Sequence, residues 1–483
     1  MAFSGMAVLQ VTASEISGLA QPTNRRTGLG LINSTDPVAH RPWPKTLLTL
    51  PLLLLVTLTE ALNFLQSLQL FGFQPGLETT RRLAAAVGHP EKNLRFIHVA
   101  GTNGKGSTCA FLEQIYRGAG YRTGLYTSPH LVHFGERIQI DRQHLPDDVL
   151  ARLVTTLCDS MPADLSPTFF EFTTVMALLW FAQERVDLVI WETGLGGRLD
   201  ATNIVNPLAS LITNIGLDHK NVLGTTLGQI AFEKAGIIKP SIPVLTSATA
   251  PDALAIIEYR AHELDSHCVV IGHSALQQLT FPVSLSGPHQ RVNATLAAAT
   301  CRLLRAILPV TDDQIASGLA NTTWAGRMQR IDRGGQILLL DGAHNPDGIA
   351  AFKAALISDF PGQHPTLIVG MLRDKAWQEM ILALAPLAAR FIVAPVSSDR
   401  TVTPEELREV LREAGSNRAV RVCHSVSAAL RAAASDPFVA LTGSLYFIGE
   451  ALQCLQTEPQ SRSDDRALNN WAGDGAPPFG PAN

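Results

Sequence analysis

An α/β fold built on mostly parallel sheet is predicted for this chain by three observations. Short apolar runs recur, helical stretches separate them, and polar or glycine-rich clusters follow many of the runs. The first set of runs covers residues 96–100, 124–126, 188–191, 211–215 and 243–245. Each is continuously apolar rather than alternating, which is the mark of a strand covered on both faces. After residue 330 the pattern restarts with runs at 337–340, 367–370, 391–394 and 438–442. A second, smaller α/β unit of Rossmann-like pattern is therefore expected, so the core divides at about 58–328 and 329–456.

Composition narrows the function classes. The 483 residues carry 38 Lys+Arg against 42 Asp+Glu, a formal charge of −4. No basic field exists to grip a phosphate backbone, and nucleic acid is excluded as a general partner. With 46% hydrophobic and 17% charged residues, the chain has ample material for buried cores. The six cysteines (109, 158, 268, 301, 423 and 454) form no CxxC pair, a usage that suits a reducing, cytoplasmic compartment. Residues 46–56 are apolar but include Pro51. A membrane-spanning helix needs about 20 such residues, so residues 1–57 are expected to be an extension and not an anchor. The tail, 457–483, has no packable pattern and is expected to be disordered.

The chemistry-bearing motifs sit where strands should end. Gly101-Thr102-Asn103-Gly104-Lys105-Gly106-Ser107 follows a run and opens a helix. Glycines let backbone N–H groups converge on phosphate oxygens, the helix terminus adds positive partial charge, and Lys105 adds a full one. The spacing departs from an ordinary Walker loop, because Val99 stands where a glycine is needed and Gly106 separates Lys105 from Ser107. Glu192 ends the run 188–191, at the edge where open α/β sheets bind ligands, and is placed to hold Mg²⁺. Asp218 and His219 follow another run, and Ser128 follows a third. From first principles Mg²⁺ prefers oxygen to an imidazole, which counts against His219.

Lys234 shares one helical face with Leu227, Ile230 and Ala231, whereas Glu233 points away. Burial would depress its pKa, and a neutral amine there can take up CO₂ to form a metal-binding carbamate. A lysine snorkelling to solvent is the alternative. In the second unit, Asp341-Gly342-Ala343-His344-Asn345 closes the run 337–340. Two units with such clusters point to a ligand held between them.

These motifs, together with Phe169-Phe170-Glu171-Phe172, His289-Gln290-Arg291-Val292-Asn293-Ala294, Gly326-Arg327 and Leu441-Thr442-Gly443-Ser444, occur in one order. The set closely resembles the folylpolyglutamate synthases, including the bacterial bifunctional dihydrofolate synthase form, within the Mur ligase superfamily. The resemblance runs from about residue 58 to about 456. It implies a P-loop-type ATPase domain followed by a ligase domain, and ATP-dependent addition of L-glutamate to dihydropteroate or tetrahydrofolate through an acyl phosphate. It also implies ATP contacts at Gly101, Thr102, Asn103, Gly104, Lys105, Gly106, Ser107, Asn293, Arg327 and Asp341. Ser128, Glu192 and His219 match the family's Mg²⁺ ligands, which reverses the objection to histidine, and Lys234 matches its carbamylated lysine. Lys105, Lys234 and His344 are the implied catalytic groups. Phe169, Phe170, Glu171, Phe172 and Asp200 resemble pterin-side positions. Small-molecule substrates and a monomer are expected. The alternatives are an enzyme limited to folylpolyglutamate synthesis, or a non-catalytic ATP-binding protein on the same fold.

Overall fold

The structure is a computed structural model that describes residues 57–69, 76–456 and 468–469. The expectations for residues 1–56, including the apolar run, lie outside the described residues, as does most of the tail. Among the described residues no helix is long and apolar enough to cross a membrane.

Two sheets organise the chain. The first comprises β1 (Phe96–Ala100), β2 (Thr123–Tyr126), β3 (Ile138–Ile140), β4 (Gln143–His144), β5 (Leu188–Glu192), β6 (Ala209–Ile212), β7 (Val244–Thr246) and β8 (Cys268–Val270). Their spatial order is β4-β3-β2-β5-β1-β6-β7-β8, parallel except at β3 and β4. β1 lies centrally between β5 and β6, with Val99 opposite Glu192 and Ala100 opposite Ile212. Tyr126 is level with Trp191. The carboxyl ends of four strands are thus aligned, and every loop leaving them reaches the same edge. All residues of β1, β2, β5 and β6 are buried, as continuous apolar runs require.

The second sheet comprises β9 (Gln329–Arg333), β10 (Gln336–Leu340), β11 (Thr366–Val369), β12 (Arg390–Val393), β13 (Val420–Val422) and β14 (Phe438–Thr442). Its order is β13-β12-β11-β14-β10-β9, with only β9 antiparallel. Helices on both faces complete two layered lobes. One tail element departs from the expectation of disorder. Leu468 and Asn469 are buried, and Leu468 joins the first lobe's apolar core.

Candidate active site

The loop from Gly101 to Gly104 leads into the helix Lys105–Gly118. Gly104 caps that helix at φ +83°, a left-handed conformation that favours glycine, and an added Cβ would strike the Asn293 side chain. The exit of β6 braces the loop. Asn103 N–H donates to Asn214 Oδ1 at 2.7 Å, and Thr102 Oγ1 accepts from Gly216 N–H at 3.0 Å. Lys105 Nζ lies 3.9 Å from Glu192 Oε1. The Ser107 hydroxyl is buried without a hydrogen-bond partner, although it lines the cavity described below.

Glu192 ends β5 with 3% of its surface exposed. Burial pushes its carboxyl up to about 6, against the opposing pull of Lys105, the Ser128 N–H and Arg327. Ser128 N–H donates to Glu192 Oε2 at 3.2 Å, so two of the expected metal ligands stand side by side. His219 takes a left-handed backbone at φ +49° and turns its ring toward the second lobe. Its Nε2 is 3.4 Å from Lys375 Nζ; the side chain keeps 43% of its surface exposed, and partial enclosure together with that ammonium shifts the imidazole downward.

Lys234 sits on the helix Leu227–Ala235 and is 4% exposed, which rules out the snorkelling geometry. Its Nζ donates to the Gly101 carbonyl at 2.8 Å. Burial, reinforced by the Lys105 charge, pushes the amine down to about 7. Glu233 does not reach solvent as expected. It is buried, with its carboxylate paired to Arg198 at 2.8 Å, because the loop 194–200 folds over that side of the helix.

The second lobe faces these groups. Asp341 accepts from Met328 N–H at 2.9 Å and Ala343 N–H at 3.0 Å, which orders the turn carrying Arg327 and His344. His344 Nδ1 donates to the Gly342 carbonyl at 2.8 Å, leaving Nε2 toward the cleft. Burial and Lys375 push its imidazole down to about 4. The lobes also touch directly. Asn103 and Asn345 exchange two amide hydrogen bonds, each 3.1 Å, and Lys375 Nζ meets Asp218 Oδ1 at 2.6 Å. Asp218 also accepts from Asn345 Nδ2 at 2.9 Å. Burial alone would raise its carboxyl, but His219, Lys375 and His344 together hold it well below the usual range.

One cavity of about 820 Å³ lies between the lobes. It is bordered by the loop 101–107 together with Ser128, Glu192, His219, Lys234, Asn293, Arg327, Asp341 and His344. Phe169 and Phe170 also line it, but Glu171, Phe172 and Asp200 do not. Glu171 instead caps its own helix, accepting from Thr168 N–H at 2.8 Å. Phe172 is wholly buried edge-on to Phe64, with ring centroids 5.2 Å apart. Asp200 braces the turn after Glu192 by accepting from Leu195 N–H at 2.8 Å. Helical periodicity explains the split, since consecutive residues of a helix cannot all face one cavity. Sequence reasoning missed Lys375 and Arg137, both of which line the cavity. Lys375 follows the end of β11, the same polar-after-strand signal that revealed Glu192 and Asp341.

The family model for the Mur ligase, glutamate ligase domain matches residues 326–445. The dihydrofolate synthase/folylpolyglutamate synthase of Bacillus subtilis is 36% identical over 414 residues, covering 80% of this chain and 96% of that protein. Escherichia coli FolC, solved in complex with DHPP and ADP, superposes with a TM-score of 0.74 at 31% identity, over 83% of this chain and 97% of that one. Mycobacterium tuberculosis folylpolyglutamate synthase, solved with ADP, gives a TM-score of 0.76 at 26% identity, covering 83% of this chain and all of the other (100%). At 36% identity over nearly the whole of the Bacillus subtilis protein, the chain belongs to the dihydrofolate synthase/folylpolyglutamate synthase family of ATP-dependent C–N ligases.

Proposed function

We infer that this protein joins L-glutamate to dihydropteroate and to tetrahydrofolate at the expense of ATP, with an acyl phosphate as the intermediate. The single observation that carries this reading is the cleft itself. A cationic phosphate loop and a buried carboxylate from one lobe face Arg327, Asp341 and His344 from the other across one cavity. A carboxylate is a poor electrophile, and phosphorylation gives it a leaving group. The acceptor carboxylate attacks the γ-phosphorus of ATP and ADP departs. The glutamate amine then attacks the acyl carbon, expels inorganic phosphate and gives up a proton.

The chain's own residues would divide this work. Backbone N–H groups of the loop and Lys105 would bind the β- and γ-phosphates, where negative charge is concentrated during transfer. Arg327, Asn293 and Asp341 would fix the nucleotide from the opposite side. His344 Nε2, unprotonated at neutral pH, is placed to receive a proton or a hydrogen bond from the incoming amine. Phe169 and Phe170 would offer the aromatic wall for a flat pterin.

Among the described residues no group of three His, Cys, Asp or Glu side chains could hold a metal by itself. The donors nevertheless suit Mg²⁺ in a shared site. Glu192 and Ser128 are adjacent, Ser107 has an unpartnered hydroxyl, and phosphate oxygens would supply further ligands. Bound there, Mg²⁺ would neutralise phosphate charge. His219 lies in the same cavity and is the third proposed ligand. Lys234 is proposed to be carbamylated: its neutral amine forms an N–C bond to CO₂ and releases a proton, turning a buried cation into an anion.

Purified protein given ATP, Mg²⁺ and glutamate, with dihydropteroate or tetrahydrofolate in parallel, tests the assignment. ADP release that needs glutamate and occurs with both acceptors is expected. Release with tetrahydrofolate alone would reduce the activity to folylpolyglutamate synthesis, and none with either would refute ligation.

A further inference from the structure

Among the described residues, the C-terminal tail reaches the wall of the cleft at Leu468, and Asn469 lies beside it. Asn469, 1% exposed, makes three hydrogen bonds there. Its Oδ1 accepts from Arg137 Nη2 at 2.6 Å, its Nδ2 donates to the His130 carbonyl at 3.0 Å, and its carbonyl accepts from Tyr446 Oη at 2.8 Å. Arg137 and His130 belong to the first lobe, whereas Tyr446 lies on the second lobe's helix Leu445–Leu455. Leu468 lines the same cavity as Arg137, Phe169 and Tyr446.

Arg137 makes this contact chemically pointed. Arg137 is 4% exposed, and its guanidinium carbon lies 5.4 Å from the centroid of the Phe169 ring. Its Nε donates to His130 Nδ1 at 2.8 Å. No ion pair among the described residues includes it: the guanidinium donates to the His130 ring and the Asn469 amide, while Glu136 and Glu192 act on its charge only from beyond ion-pair distance. A buried cation is costly unless an acceptor meets it, and a neutral amide oxygen supplies one without cancelling the charge. The charge thus stays available to an anion in the cavity, while the amide fixes the direction in which the guanidinium presents its free N–H groups.

We propose that Asn469 is a positioning residue for the anionic acceptor, holding Arg137 against Phe169 so that its guanidinium meets the acceptor in the cleft, with Leu468 completing the apolar wall beside it. The E. coli FolC and M. tuberculosis relatives align almost wholly to 83% of this chain, which leaves about a sixth of it without a counterpart in them. The inference rests on the ligase reading above and adds to it a determinant from a region expected to be structureless.

Steady-state kinetics on the full-length protein, with dihydropteroate as the varied acceptor, test it. Asn469→Ala should raise the acceptor KM about tenfold, the scale of one hydrogen bond to a charged group, with kcat and the KM for ATP within about twofold. Asn469→Asp should raise the acceptor KM further, because a carboxylate would neutralise Arg137 and repel the anion. Leu468→Ala removes no hydrogen bond and should also weaken acceptor binding, so it tests the wall should the Asn469 variants fold poorly. An unchanged acceptor KM in all three variants would overturn the proposal, and so would a lower one, which would make the tail a competitor. Loss of ATP and acceptor binding together would reduce Asn469 to a structural role and equally overturn it. If the unmodified protein shows no glutamate-dependent ADP release, the ligase reading fails. If it turns over normally and the variants match it, only the tail inference fails.

Discussion

Lys105 and Lys234 are both lysines of one cavity, yet their surroundings give them different tasks. Lys105 retains a carboxylate neighbour, Glu192, at 3.9 Å. Its ammonium belongs to the loop that would receive phosphates, with Nζ 3.4 Å from the Thr102 carbonyl. Lys105→Ala should therefore cut glutamate-dependent ADP release by a factor on the order of 10² or more, measured by coupled assay. Lys234 faces the Gly101 carbonyl and has its pKa depressed from 10.5 to about 7. The unfolded chain binds more protons between those limits, so this group makes stability rise with pH across that window. Its penalty is complete below about 7 and disappears above about 10.5. In CO₂-free buffer, Lys234→Met should gain most over the native chain in urea unfolding near pH 6, and the gap should close toward pH 10. A gap that stays constant would argue against a depressed amine. The apolar helical face made Lys234 legible from sequence. The pairing of Glu233 with Arg198 was not, because the partners are separated by 35 positions and meet only through the fold.

The helix Phe169–Gln183 shows how an element can hide the roles of its residues. Its first turn holds both cavity-facing aromatics and a capping box, in which Glu171 accepts from Thr168 N–H and Oγ1 at 2.8 and 2.9 Å. Glu171→Ala should therefore lower stability by about 1 kcal/mol, typical for loss of a cap, and leave the acceptor KM within about twofold. A large KM change with unaltered melting would restore a direct substrate role to Glu171. Buried strands such as β1, β5 and β14 were legible because their runs are continuously apolar. β3 and the edge strands β4, β8, β9 and β13 were not. β9 reads Gln329-Arg330-Ile331-Asp332-Arg333, with exposed and half-buried positions mixed, and edge strands of this kind carry charges that discourage further pairing.

At the scale of the whole molecule, function depends on two lobes meeting in register. Sequence patterns exposed the two sheets and the polar strand ends, but not the contacts that join them. Those contacts are Asn103 with Asn345 and Asp218 with Lys375, pairs whose partners lie 242 and 157 positions apart. Lys375→Met would leave Asp218 with less compensation in a buried setting. It should cost activity and melting temperature together, by about 3 kcal/mol or more in stability. Calorimetry showing unchanged melting would exclude this pair as a brace. The asparagine pair works by another principle. Each amide gives one proton and takes one, and neither group carries a net charge. Brine strong enough to screen a surface contact such as Arg412 with Glu409 has no such hold on this seam, so the part of the join nearest the phosphate loop should keep its alignment from fresh water to high salt.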